Sequence, residues 1–150
     1  MLVCFDGSND ASAAIDRAGE VLKPSPAVVL TVWEPFAVWE PYDPATILSA
    51  PLEKLASKAL ALDEIAEEVA QEKMAQGVSL TVAAGFTADG RTAKGKAWRT
   101  ICSVAEEIDA SVIVLGARGL SRVGSVLLGS VSSAVSVHTK RPVLIVPARS

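Results

Sequence analysis

The chain has 150 residues, half of them hydrophobic, and a mean hydropathy of +0.37. That length suits one domain, residues 1–150, around a single core, and the apolar share excludes a disordered chain. Fourteen Lys and Arg against 17 Asp and Glu, with two Cys and one His, exclude a disulfide scaffold, a multi-cysteine zinc module and any task resting on a basic track for nucleic acid.

The first apolar run, Leu2-Val3-Cys4-Phe5, ends at Asp6-Gly7-Ser8 and reads as a strand. It is too short for a signal peptide and lacks a basic start, so the expected location is cytoplasmic with reduced thiols. Cys4 and Cys102 then read as small core hydrophobes. Asn9 to Leu22 reads as a helix capped by Ser8 or Asn9, with Ala13, Ala14, Ile15, Ala18 and Val21 on one face. Pro24-Ser25-Pro26 breaks it.

Residues 27–33 (AVVLTVW) form a continuous β-branched run, as a strand buried on both faces requires. The proline-rich stretch from Glu34 to Pro51 carries Phe36, Trp39 and Tyr42 and reads as a loop. A lid or partner surface and a plain connector are equally compatible with it. A long helix starts at Leu52. The segment from Gly77 to Gly85 is ambiguous. Its alternation at 78, 80 and 82 favours a strand slightly, whereas Gly85-Phe86 resembles the glycine and hydrophobic contact that close a helix.

Ala97 to Ile108 is a helix by its apolar spacing, and residues 111–115 (SVIVL) a second buried strand. Gly129 to His138 is a helix, and residues 142–146 (PVLIV) the last strand. Prolines at 142 and 147 suit an edge or interface position. The longest uncharged run, Val123 to Thr139, contains two glycines and five serines and makes a poor membrane span. Strands apolar on both faces, alternating with helices, define an α/β protein with a mainly parallel sheet, whose ligands bind at the carboxyl ends of the strands.

The loop after residues 111–115 carries the most specific signal. Gly116, Gly119 and Gly129-Ser130 fall in a G-x2-G-x9-G-S pattern, the last pair opening a helix. The glycines let backbone approach a ligand and adopt positive φ. Gly129, Ser130 and Val131 offer backbone N–H groups at a helix N-terminus, where the dipole favours an anion. Ser130 and Ser132 add hydroxyls, and Arg118 and Arg122 add charge. Charge distribution agrees: residues 116–150 hold five basic side chains and no acid, against a net of −8 for residues 1–115. Neither a Walker A loop nor G-x-G-x-x-G is present.

With VCFDGSNDASAAIDRA at the start, VVLTVWEP after the first crossover and the glycine pattern near the end, the chain resembles the nucleotide-binding branch of the universal stress protein family. The resemblance implies a three-layer α/β sandwich of the adenine-nucleotide alpha hydrolase-like type. Its five-stranded parallel sheet would run in the order 3-2-1-4-5. It settles the ambiguous segment as helix, Leu52–Ala84, followed by a strand near Thr87–Lys94. It implies that ATP, alone or with Mg²⁺, sits in one crevice. Asp6 would face the ribose or adenine side or a Mg²⁺, with Cys4 and Phe5 beside it, and Val32 would meet the adenine. Gly116, Arg118 and Gly119 would border ribose and phosphates, and Gly129, Ser130, Val131 and Ser132 would hold the phosphates. A homodimer through residues 142–147 is implied as well. The loop offers no base or nucleophile between Gly116 and Ser136, and no protein metal set is assigned. A nucleotide-dependent regulator in stress response is therefore the expected function, ahead of a weak ATPase or phosphotransferase and of a nucleotide-free interaction module.

Overall fold

A computed structural model of the chain describes residues 1–35, 52–119 and 128–147, with side chains from residue 57 onward in the second of these segments. The aromatic stretch with Phe36, Trp39 and Tyr42, and Arg122 of the glycine loop, lie outside the described residues. The elements are β1 (Leu2–Cys4), α1 (Asn9–Val21), β2 (Pro26–Trp33), α2 (Leu52–Ala83), β3 (Thr87–Lys94), α3 (Ala97–Glu107), β4 (Ile113–Gly116), α4 (Ser130–His138) and β5 (Val143–Val146). All strand pairs are parallel, and the order is β3-β2-β1-β4-β5, as the resemblance implied.

Strand periodicity sorts the core into two layers. Val3 lies beside Val29 on one side and Val114 on the other. This row faces α1 and α2, packing on Ala11, Ala14, Ile15, Ala18 and Phe86. The alternate row, Leu2, Leu30, Ile113 and Leu115, faces Ile101, Val104, Ala105 and Val135 of α3 and α4. With both faces covered, the central strands can be continuous apolar runs. One position of α1 departs from the expected face. Val21 closes the helix and is 49 % exposed, while Leu22 just beyond it packs on the core. Asp10 takes up a buried place in the first turn instead.

The ambiguous segment is helix. Gly77 lies flat against the sheet: a Cβ there would come within 2.9 Å of the Phe5 ring and the Val29 side chain. Val78 and Leu80 pack on the core while Val82 is exposed, so the local alternation is a by-product of a helix hugging a sheet. Thr81, fully buried, donates its hydroxyl hydrogen bond to the Gly77 carbonyl at 2.7 Å. The helix closes by a Schellman arrangement. Gly85, at φ +96°, donates to the Val82 carbonyl at 3.0 Å, Phe86 donates to the Thr81 carbonyl at 3.3 Å, and the Phe86 ring is buried.

Among the described basic residues near the C-terminus, Arg118 and Arg141 are engaged with acids of the body. Arg141 donates to the carboxylates of Glu106 and Asp109 and to the Ala110 carbonyl, fastening the turn before β5 to the end of α3. That hydrogen bonding raises the Arg141 pKa and lowers that of Glu106. The basic excess of residues 116–150 is thus, in part, structural pairing.

Candidate functional site

Placing β1 next to β4 brings Asp6 and Gly116 to one crevice at the carboxyl ends of the strands. A cleft of about 770 Å³, including its solvent-open mouth, occupies that place. Cys4, Phe5 and Asp6 line it from the end of β1, and Val32 from β2. Gly116, Arg118 and Gly119 line it after β4, and Gly129, Ser130, Val131 and Ser132 at the start of α4. All eleven residues singled out in the sequence therefore converge on one cleft. Ala11, Leu30, Ala97, Ile101 and Leu115 add apolar lining.

The β1–α1 turn is built by its own side chains. The Ser8 amide donates to Asp6 Oδ1 at 2.9 Å, and the Ser8 hydroxyl caps α1 by accepting from the Ala11 amide at 3.1 Å. Gly7 supplies the left-handed backbone, φ +86°, that the turn needs. Asp6 is thus a turn former with its second oxygen, Oδ2, directed toward Gly119: a Cβ on Gly119 would sit 2.8 Å from it.

Gly116, Gly119 and Gly129 serve close approach, not positive φ. Among the described residues the left-handed glycines are Gly7, Gly85 and Gly95. A Cβ on Gly116 would lie 2.7 Å from the Ala11 amide nitrogen and the Asp10 carbonyl carbon, so α1 is what requires glycine there. Two expected donors are also already engaged. The Gly129 amide donates to the Ala117 carbonyl at 2.7 Å, and the buried Ser132 hydroxyl donates to the Gly116 carbonyl at 2.8 Å. Both bonds tie α4 to the end of β4. The donors left for a ligand are the amides of Ser130, Val131 and Ser132, which belong to the first turn of α4 and have no acceptor within it. The first intrahelical bond runs from the Ser133 amide to the Gly129 carbonyl at 2.9 Å.

Two acidic residues beside the cleft take roles that the sequence did not assign: Asp10, and Glu34, which lies at a strand end where ligands bind. Asp10, 6 % exposed, accepts from both the amide and the Nε of Arg118, at 3.1 and 3.2 Å. Glu34, just beyond β2, accepts from the Ala97 amide at 3.3 Å and caps α3, whose own N-cap residue, Lys96, provides no side-chain bond. Only the poor cap at Lys96 hinted in the sequence that an acceptor must come from elsewhere. His138, at the far end of α4, stacks on Trp98 with ring centroids 4.4 Å apart, and its Nδ1 lies 2.8 Å from the Ala134 carbonyl.

Cys4 on the cleft floor has its pKa pushed far up, first by burial and then by Cys102 and Asp6, and burial raises Cys102 as well. The protonated thiol is favoured in the fold, as a core hydrophobe requires. The sign of the linkage follows. Below about pH 9.0 the thiol is neutral folded and unfolded alike; above it only the unfolded chain releases the proton. Stability is therefore expected to fall above pH 9, by up to about 1.4 kcal/mol per pH unit for this one group. Urea unfolding of the wild type and Cys4→Ala between pH 8 and 10.5 measures it. Parallel profiles for the two proteins would refute the assignment.

The fold and cleft define an α/β protein with a cleft at the carboxyl ends of adjacent parallel strands, lined by apolar side chains and by the start of α4. The sequence profile of the universal stress protein family matches residues 1–147. The chain is 32 % identical to the Universal stress protein YxiE of Bacillus subtilis (strain 168) over 154 aligned positions, covering 97 % of each. Its fold is similar to the solved structure of the hypothetical protein MJ0577, with a TM-score of 0.79 at 22 % identity over 99 % of this chain and 95 % of that one. It is also similar to the universal stress protein of Archaeoglobus fulgidus solved in complex with dAMP, with a TM-score of 0.56 at 21 % identity over 97 % and 94 %. The chain belongs to the universal stress protein family.

Proposed function

We propose that the cleft binds ATP and that the protein is a nucleotide-dependent regulator or sensor in stress response. The observation that carries this reading is the polarity of the cleft. Its apolar side chains, Val32, Leu30, Ala97 and Ile101, suit a purine, and Arg118 with the first-turn amides of α4 suits phosphates. The complex of the Archaeoglobus fulgidus relative with dAMP supports an adenine nucleotide as the class of ligand. Among the described residues no group of three or more His, Cys, Asp or Glu could hold a metal ion. Mg²⁺ would therefore come with the phosphates, and Asp6 would be its one carboxylate contact, a mode common for this ion.

The setting we propose is the cytoplasm; among the described residues no helix is long and apolar enough to cross a membrane. A homodimer through residues 142–147 belongs to the same proposal. β5 is an edge of the sheet, and Val143 to Val146 are each half-buried in a single chain. A bare apolar edge invites pairing. Light scattering at micromolar concentration tests this, and a monomer would contradict it.

The nucleotide reading is tested by mass spectrometry of what the denatured protein releases, together with calorimetric titration of ATP, ADP and AMP. Absence of both co-purifying nucleotide and measurable binding would remove it. Single-turnover hydrolysis with Mg²⁺ decides between a regulator and the weak ATPase: a bound nucleotide that stays intact for many hours is the expected result.

A further inference from the structure

We infer that Asp10 is a positioning residue for the phosphate end of the cleft, acting through Arg118; the inference rests on the nucleotide reading given above. The first turn of α1 grips residue 118 by three of its polar atoms. Asp10 Oδ2 accepts from the Arg118 amide at 3.1 Å and from Nε at 3.2 Å, and the Ser8 hydroxyl donates to the Arg118 carbonyl at 3.5 Å. The Asp10 side chain is 8 % exposed and that of Arg118 40 %. The acid is therefore a buried anchor, and the residue it holds, Arg118, lines the cleft with its side chain partly exposed.

The division of the guanidinium follows from its chemistry. Arginine has five N–H donors in a planar fork. Binding Asp10 through Nε leaves the four Nη hydrogens, three of them directed off the anchored edge. A flexible arginine would have to be immobilised when a phosphate arrives, at a cost of about 0.5–1.5 kcal/mol in side-chain entropy. Asp10 imposes that order in advance. The carboxylate also offsets the arginine's charge, so Arg118 offers oriented donors more than net charge. Lysine is a poor replacement, because its three donors radiate from a single nitrogen and form no planar fork that can hold the anchor with one atom and present others beyond it.

The test is titration of ATP and of adenosine into folded variants. Asp10→Ala is expected to weaken ATP by roughly five- to ten-fold, the upper part of that ordering cost, and to leave adenosine unchanged, since only the phosphates meet Arg118. Asp10→Asn keeps an acceptor oxygen and is expected to restore ATP binding to within three-fold of the wild type. Arg118→Lys keeps the charge but loses the Nε bond and should match Asp10→Ala, which provides the same reading if Asp10→Ala does not fold. In an Arg118→Met background Asp10→Asn is expected to change nothing. Equal weakening of ATP and adenosine in Asp10→Ala, or unaltered ATP affinity there and in Arg118→Lys, would overturn the inference while leaving the nucleotide reading in place. A wild type that binds neither ATP nor adenosine would overturn both.

Discussion

Gly116→Ala is expected to destabilise the fold by about 2–3 kcal/mol, the upper part of the range for overpacking a tight contact. The added methyl would sit 2.7 Å from the Ala11 nitrogen and the Asp10 carbonyl carbon and 2.9 Å from the Asp10 Cβ. None of these is the end of a flexible side chain that can swing away. They belong to the first turn of α1, and Ala14, Ile15 and Ala18 of the same helix are fixed in the core at 1 % exposure or less. The helix can yield only by tilting off the sheet, which opens the layer over Val3 and Val114. Urea unfolding with an unchanged m-value measures the loss. In thermal unfolding it corresponds to a drop of roughly 4–12 °C for a domain of this size. A variant within 0.5 kcal/mol of the wild type would show that β4 and α1 are not packed as closely as described.

That contact also marks what a sequence can and cannot reveal here. The sheet was legible because its central strands are short runs apolar at nearly every position, Thr31 excepted, as a parallel sheet covered on both faces requires. The site was legible because its backbone donors sit beside glycines at fixed spacing, and glycines are visible in one dimension. Their reasons were less visible. Gly116 and Gly77 are glycines because another element presses on them, α1 in one case and Phe5 with Val29 in the other. Such demands come from residues far away in the chain.

The same distance in sequence hid the two acids. Asp10 and Arg118 are 108 positions apart, and Glu34 and Ala97 are 63 apart. In one dimension Asp10 is simply an acid in the first turn of a helix, where acids are common. Nor could a list of charges show that Arg118 and Arg141 already face Asp10, Glu106 and Asp109. The segment from Val78 to Val82 shows the opposite hazard. A helix lying flat on a sheet through Gly77 can mimic strand alternation over five residues, and the cue that outweighs it is the closing glycine, Gly85, with Phe86 behind it.

Gly129→Asp is expected to abolish ATP binding, by at least 100-fold, without unfolding the protein. Gly129 is the N-cap of α4, with φ −70° and ψ 161°, an ordinary extended conformation for any residue. Its Cβ would be 3.2 Å from the Ala117 carbonyl oxygen and 3.3 Å from the Arg118 Cα, close enough to require a shift of a few tenths of an ångström. Aspartate is also among the best N-cap residues, worth a few tenths of a kcal/mol over glycine at such a position. Packing strain and capping gain therefore nearly cancel, and the nucleotide-free melting temperature should stay within about 3 °C of the wild type. Binding has no such compensation. The new carboxylate takes up the first-turn amides of α4, the same donors assigned to the phosphates, and adds a like charge beside them. Two unit charges about 4 Å apart at an effective dielectric of 20 repel by about 4 kcal/mol, which is nearly a thousand-fold in affinity. Gly129→Asn separates the two contributions, since it caps equally well and carries no charge. An intermediate loss for Asn and a complete one for Asp is the expected order. Unchanged ATP affinity in Gly129→Asp would show that the phosphates do not lie at the start of α4, whatever else the cleft holds.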